Sequence, residues 1–436
     1  MYIKYFGTDG IRGIPFESLD ENLIRKIGNA CITLGIKKCV LGYDTRESSP
    51  KISNILIESL ISVGIDVYVF GVISTPALIY YSKINKSLGI IITASHNPYE
   101  YNGIKIVYKG LKLNSKQEEA IEYSIDHLNN KSKKIGKINY VDDPLYDYIN
   151  HISKYYYHTN KKIIIDLANG STCEAARIIY PNISNNIKLI SNEPNGKNIN
   201  KNCGSTSLNK LKEKIKNTNY DLGIAFDGDG DRIIIVNNNL DIIDGDLIIY
   251  ILALYLKKNK KLKNNKIVLT IMSNLGIINS LKESNIEVLE ANVGDKYVLD
   301  LINKNKLSLG GENSGHIILN DIFSSGDGIL VSLLFLKAID ELNIDLNVFY
   351  KSLNLYSDRL LNINVKNKDL VINNKELNDL KNNIIKELNN DCKIIIRKSG
   401  TEDLLRLTVM TKKEELTNKY SEILKNKILE IDNTSI

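Results

Sequence analysis

Apolar residues fall along this chain with two periods, and the two alternate. Residues 23–34 and 49–63 carry apolar side chains at helical spacing, three or four apart. The short runs 38–44 and 66–71 read as strands. A short helix over 77–84 leads into Leu88-Gly89-Ile90-Ile91-Ile92, a continuous apolar run of strand length. An amphipathic helix over 144–156 closes this segment. The alternation restarts at a strand over 162–166, with a helix through 179 and strands at 222–226 and 232–236. It restarts again at 266–270, followed by a helix over 276–283 and a strand over 287–289. Strands that alternate with helices imply βαβ units and parallel sheets. The last segment differs. Strands at 359–365, 392–397 and 404–409, with helices between and after them, predict a mostly antiparallel sheet.

The expected fold class is therefore α/β: three tandem α/β domains with mixed, mostly parallel sheets, then a C-terminal α+β domain. The boundaries expected are 1–155, 156–256, 257–356 and 357–436. A length of 436 residues agrees with about three or four domains.

Composition narrows the class. Hydrophobic residues make up 43% and charged residues 25%, as in soluble globular proteins. The net charge of +6 is spread over the whole length, and the lysines of 257–266 read as a solvated face. No concentrated basic face with interleaved aromatics is present, so no nucleic-acid partner is expected. The longest apolar run, 247–256, is far short of a bilayer span, so no membrane partner is expected either. Cys31, Cys39, Cys173, Cys203 and Cys392 form no Cys-x-x-Cys pair, and an odd number argues against a disulfide framework. Reduced thiols and the lack of an apolar signal core before Phe6 point to the cytoplasm.

Four stretches could carry chemistry. Thr93-Ala94-Ser95-His96-Asn97-Pro98 places a hydroxyl on a loop at the end of a buried strand, with the imidazole of His96 beside it. An ordinary strand-to-loop connection is the bland alternative. Asp227-Gly228-Asp229-Gly230-Asp231-Arg232 spaces three carboxylates with glycines, so the backbone can fold tightly around one hard cation. An EF-hand is excluded, because Arg232 and Asn238 stand where that loop needs Gly and Glu. Three carboxylates leave room on an octahedral Mg²⁺ for a phosphate oxygen, which a phosphorylated Ser95 could provide. Gly311-Glu312-Asn313-Ser314-Gly315-His316 can reach adjacent hydroxyls of a polyol, or be a simple Gly-rich turn. Arg397-Lys398-Ser399-Gly400-Thr401-Glu402 with Arg406 suits a phosphate dianion, or is a basic hairpin turn. Arg12 lies in a further Gly-rich loop. Lys105 follows the serine loop and is a candidate proton carrier, provided that neighbouring positive charge lowers its pKa.

Taken together and in this order, these motifs resemble those of the α-D-phosphohexomutase superfamily over the full length of the chain. Within it the chain is most similar to the bacterial phosphoglucosamine mutases. Phe6-Gly7-Thr8-Asp9-Gly10-Ile11-Arg12-Gly13, the Gly-Glu-Asn-Ser-Gly-His loop, residues 270–276 and Val293-Gly294-Asp295-Lys296-Tyr297-Val298 carry that likeness. The resemblance implies four domains around a central cleft, with a last domain that hinges onto the sugar. It implies that Ser95 is a phosphoserine and that Ser95, Asp227, Asp229 and Asp231 hold one Mg²⁺ per chain. Arg232 would lie beside that phosphate. Glu312 and Ser314 match the sugar readers. Arg397, Ser399, Gly400, Thr401 and Arg406 match the clamp on the non-reacting phosphate. Arg12, Lys105, His96 and His316 match groups that assist transfer, with Lys105 favoured as acid/base and His316 second.

The implied reaction interconverts glucosamine 6-phosphate and glucosamine 1-phosphate through a sugar 1,6-bisphosphate, which is also the activator. It would feed UDP-N-acetylglucosamine and cell-wall synthesis. The partner expected is a phosphosugar; a homodimer, the commonest oligomer, is the assembly expected. A phosphomannomutase/phosphoglucomutase of the same superfamily and a non-catalytic phosphosugar sensor are the alternatives. Three positions depart from the family pattern. Lys398 and Asp403 stand where proline is usual, and Lys296 stands where arginine is common, which replaces a fork-shaped donor by a point charge.

Overall fold

The computed structural model describes residues 4–7, 9–127, 134–399 and 404–433. Their contacts divide the chain into two compact units, one of residues 1–270 with 291–350 and one of 271–290 with 351–436. The described strands form four sheets.

The first sheet holds β1 (Ile11–Gly13), β2 (Lys38–Tyr43), β3 (Asp66–Val72), β4 (Leu88–Ile92), β5 (Asn102–Tyr108), β6 (Leu111–Lys112) and β7 (Ile138–Tyr140). Its order is β1-β5-β4-β2-β3-β7, with β6 paired to β5. β2, β3, β4 and β7 run parallel, as the helix–strand alternation requires. The helices that connect them bury Ile24, Ile27, Ile52, Leu56 and Leu60 against the sheet. The expected helix over 23–34 is an α-helix, Glu21–Ala30, capped by Asp20 and continued by a 3₁₀ turn, Cys31–Leu34. β5 was not expected. It runs antiparallel to β4 and sets Lys105 opposite Ile91.

The second sheet is built from β8 (Ile163–Asp166), β9 (Ile187–Ile190), β10 (Leu222–Phe226), β11 (Ile233–Asn237) and β12 (Ile242–Ile243), in the order β12-β11-β10-β8-β9. β8 is parallel to β9 and β10, while β10 turns back into an antiparallel β11. Then come β13 (Lys266–Thr270), β14 (Glu287–Ala291), β15 (Leu309–Gly311) and β16 (Ile317–Leu319). β13 and β15 are parallel, and β15 turns back into β16. The helices Gly245–Lys258 and Gly328–Glu341 are almost wholly apolar because both are buried. In the other unit β17 (Ser357–Asn364), β18 (Cys392–Lys398) and β19 (Leu404–Thr411) form an antiparallel sheet in the order β17-β19-β18. Leu405, Leu407 and Val409 pack there with Tyr420, Leu424 and Ile428 of the last helix.

The described cysteines are all free thiols. Among the described residues, no helix is long and apolar enough to cross a membrane.

Candidate active site

Within the larger unit three loops meet, and each joins a strand to an antiparallel neighbour. Residues 93–101 link β4 to β5, residues 227–232 link β10 to β11, and residues 312–316 link β15 to β16. The last two are stitched by a backbone bridge between Arg232 and His316 and by the Ile233 amide, which donates to the Gly315 carbonyl at 3.1 Å. Gly315 has a φ of +91°, and a Cβ there would lie 2.1 Å from the Ile233 carbonyl oxygen. The seam therefore requires glycine.

Ser95 is 1% exposed, and its Oγ donates to Asp227 Oδ2 at 2.7 Å. Ser95 has a φ of +53°, in the left-handed region that costs a non-glycine residue about 1–3 kcal/mol. His96 Nδ1 lies 3.2 Å from the same hydroxyl. Burial, then Arg232 and Arg12, push the His96 imidazole down to about 4, so it is neutral at ordinary pH.

Asp227, Asp229 and Asp231 are all buried, and one oxygen from each lies within 4.8 Å of the others. Burial, with Asp229 and Asp231 as like-charged neighbours, holds the Asp227 carboxyl well above its ordinary range. Oδ1 of Asp229 and Oδ1 of Asp231 are buried without a hydrogen-bond partner. Three hard oxygen donors with two orphaned oxygens fit a divalent cation such as Mg²⁺. Thr75 fixes one of them, donating its hydroxyl to Asp229 Oδ2 at 2.6 Å and its amide to the Asp229 carbonyl at 2.9 Å.

Lys105 is nearly buried, and its Nζ meets Asp9 Oδ2 at 2.8 Å, Asp229 Oδ2 at 2.8 Å and Asp231 Oδ2 at 3.2 Å. The expectation that positive neighbours depress its pKa is reversed. Burial works against the ammonium, but the carboxylates of Asp229, Asp231 and Asp9 carry it well above its usual value. His316 is raised in the same way. Burial opposes its charge, and Asp231, 3.7 Å from Nδ1, and Asp295, 3.4 Å from Nε2, more than offset that.

Asp9 had no assigned role in the sequence reading, yet it holds Arg12 at 2.6 Å, Lys112 at 2.7 Å and Lys105 together. Lys112 also pairs with Asp295. These acids come from distant parts of the chain, and only the quoted motifs around positions 9 and 295 hinted at them. Glu312 Oε1 accepts the Gly294 amide at 2.8 Å, and the Ser314 hydroxyl is buried without a partner. Lys296 pairs with Glu118 at 2.7 Å, so the point charge at that position has a carboxylate partner. Arg232 donates its amide to Asp227 Oδ1 at 3.1 Å, and its guanidinium reaches Asp231 Oδ1 only at 4.0 Å.

In the smaller unit, Arg397 and Arg406 stand directly opposite each other on β18 and β19. Like charges in that register repel. Ser399 is 4% exposed, and its hydroxyl is buried without a partner. Gly400 and Thr401, with Asp403, lie outside the described residues.

Comparison with known proteins settles the family. Residues 3–132, 146–240 and 244–356 match the phosphoglucomutase/phosphomannomutase α/β/α domains I, II and III, and residues 360–427 match its C-terminal domain. The phosphoglucosamine mutase of Finegoldia magna is 38% identical over 446 aligned residues, covering 98% of each chain. That of Thermosipho africanus is 39% identical, covering 93% of this chain and 94% of its own. The chain belongs to the phosphoglucosamine mutase family of the phosphohexomutases. A phosphoglucomutase/phosphomannomutase family protein from Burkholderia thailandensis shares the fold of this phosphohexomutase, with a TM-score of 0.81 at 20% identity over 98% of both chains. So does an N-acetylphosphoglucosamine mutase of Aspergillus fumigatus, solved with GlcNAc-6P and magnesium, with a TM-score of 0.70 at 15% identity over 99% of this chain and 96% of its own.

Proposed function

We propose that this phosphohexomutase interconverts glucosamine 6-phosphate and glucosamine 1-phosphate, with Ser95 as the carrier of the phosphoryl group. The bond from phosphorus to Ser95 Oγ breaks as a bond to one sugar hydroxyl forms; that hydroxyl gives up its proton and Ser95 Oγ takes one up, giving the 1,6-bisphosphate. The intermediate turns over, and its other phosphate returns to Oγ. Two anion sites serve this exchange. We assign the first to Ser95, Arg12 and Arg232, and the second to Arg397, Ser399, Gly400, Thr401 and Arg406. Glu312 and Ser314 read the sugar hydroxyls.

Asp227, Asp229 and Asp231 would hold one Mg²⁺ per chain. When bound, it offsets the charge on the phosphoryl oxygens. Lys105, held as an ammonium among carboxylates, is a fixed positive charge toward the transferred group, and the role of proton carrier passes to His316. His96, neutral, accepts from or donates to the serine hydroxyl. We assign the functional segments as 1–155, 156–256, 257–356 and 357–436, in a cytoplasmic homodimer activated by the sugar 1,6-bisphosphate.

The observation that carries this reading is the 2.7 Å contact of Ser95 Oγ with a carboxylate of a buried acidic triad that keeps two oxygens unpartnered. Ser95→Ala is expected to abolish turnover of glucosamine 6-phosphate while its binding persists. Undiminished turnover by that variant would overturn the assignment. Parallel assays with neutral hexose phosphates decide between an amino-sugar enzyme and a phosphomannomutase/phosphoglucomutase.

A further inference from the structure

The strand ending at Tyr43 runs into Asp44-Thr45-Arg46, a stretch to which nothing above gives a role. Arg46 is 1% exposed, although an arginine is almost never fully buried unless paired. Its Nε donates to Asp44 Oδ2 at 2.9 Å, and both side chains are fully buried. Its NH2 donates to the carbonyls of Ser95 and Asn97, each at 2.9 Å, and its NH1 to those of Pro98 and Tyr101. Asp44 in turn accepts from Thr93 Oγ1 at 2.6 Å, and Thr93 Oγ1 accepts the Ser95 amide at 2.9 Å. From the other side, Asn200 Nδ2 donates to the same two carbonyls, Ser95 at 2.8 Å and Asn97 at 3.0 Å. The metal loop closes over this point, since a Cβ on Gly228 would lie 2.8 Å from the Ser95 carbonyl oxygen and 2.8 Å from Asn200 Nδ2.

We propose that Arg46 and Asn200 form a two-sided clamp that holds Ser95 in its left-handed conformation and sets the distance from its Oγ to Asp227. Neither residue touches the reacting atoms. Both are positioning residues for the proposed phosphoryl transfer, and the proposal rests on that reading of Ser95. A left-handed serine persists only when its surroundings over-determine it, and four donor contacts on the carbonyls of Ser95 and Asn97 do so. The fork is what matters, because a lysine cannot reach four carbonyls and a carboxylate at once.

The test uses the full chain, with kcat and KM for glucosamine 6-phosphate, the lifetime of the phosphate on Ser95 by mass spectrometry, and the melting temperature. Small misplacements of a reacting group cost on the order of a hundredfold in rate. Arg46→Lys is expected to lower kcat by about a hundredfold and Asn200→Ala by roughly tenfold, with KM nearly constant and the phosphoserine lifetime changed. The double variant is expected to lose no more than Arg46→Lys alone, because the two side chains grip the same carbonyls. Asn200 has a φ of +57°, where alanine is strained, so Asn200→Ala is expected to melt somewhat below the parent while leaving Arg46 in place; if Arg46→Lys does not fold, Asn200→Ala decides. Unchanged kcat and phosphoserine lifetime in Asn200→Ala, or losses that only track a lower melting temperature, would overturn the clamp. A parent protein that turns over neither glucosamine 6-phosphate nor neutral hexose phosphates overturns the reading of Ser95 instead, and the clamp with it.

Discussion

Lys105 sits where a metal ion's charge is needed, and removing it should reveal the competition. Its ammonium touches Asp229 and Asp231 at 2.8 and 3.2 Å, the same carboxylates assigned to Mg²⁺. Lys105→Met keeps most of the side chain's length and volume but leaves those buried charges uncompensated. Breaking a buried ion pair by removing one partner costs about 3–5 kcal/mol. That cost falls on the metal-free state, since a bound divalent cation neutralises the same oxygens. Each ~3 kcal/mol that returns on binding amounts to about a hundredfold in apparent Kd. Titration calorimetry with Mg²⁺ alone is therefore expected to show tighter binding in Lys105→Met than in the parent. Thermal unfolding adds a second readout: the variant should melt lower in chelator, and Mg²⁺ should raise its Tm by more than it raises the parent's. Equal Mg²⁺ affinities and equal Mg²⁺-induced shifts would refute the idea that Lys105 and the cation share these carboxylates.

Two further outcomes follow from charged groups elsewhere. Burial raises Asp327 from 3.8 to about 6, where it accepts the Tyr148 hydroxyl at 3.0 Å and caps the helix Gly328–Glu341. The folded chain then holds a proton that the unfolded chain has released, so this stability is present at low pH and is lost as pH rises through about 6. The penalty reaches roughly 3 kcal/mol by neutral pH. Asp327→Asn keeps the cap, and its denaturation midpoint relative to the parent should rise between acid and neutral pH; a pH-independent difference would contradict the shift. Arg406→Gln removes one charge-assisted donor from the cross-strand pair. It is expected to raise KM for glucosamine 6-phosphate by about tenfold or more with a smaller change in kcat, and an unchanged KM would remove Arg406 from the clamp.

What could be read from the sequence was the chemistry at the ends of apolar runs. Ser95 and the three aspartates each follow a strand that stops abruptly in small and polar residues, and that signature is local. Asp44-Thr45-Arg46 carries the same signature. It escaped notice because nothing local says that an arginine is 1% exposed or that it faces four carbonyls. The sign of the Lys105 shift escaped for a similar reason. It depends on Asp9 and two loop aspartates that only the fold brings within 3.2 Å. β5 was missed because its residues, Asn102–Tyr108, are buried throughout except the last, which hides the alternation of a half-exposed strand. The three segments over 1–356, read as similar blocks, share a pattern of elements, while compactness follows contacts and puts 271–290 with the C-terminal residues.

The antiparallel turns explain how loops so rich in glycine can hold a site. A parallel sheet presents loops that lead away into a crossover helix, anchored to the ladder at one end only. Here every chemical loop is anchored at both ends by one ladder: Ile92 opposite Ile104, Phe226 opposite Ile233, Gly311 opposite Ile317, and Lys398 opposite Leu405. Glycine supplies the close approach within the loop, and the paired strands remove the freedom that glycine would otherwise add. Fixing both ends also limits what loop closure costs in entropy, because the ends are already adjacent. The longest of these loops in sequence, between Ile92 and Ile104, carries the serine itself. It is also the one whose interior carbonyls are gripped by a buried guanidinium. Where the ladder's reach ends, side-chain donors take over: Arg46 bonds the carbonyls of Ser95, Asn97, Pro98 and Tyr101, and Asn200 the first two of these.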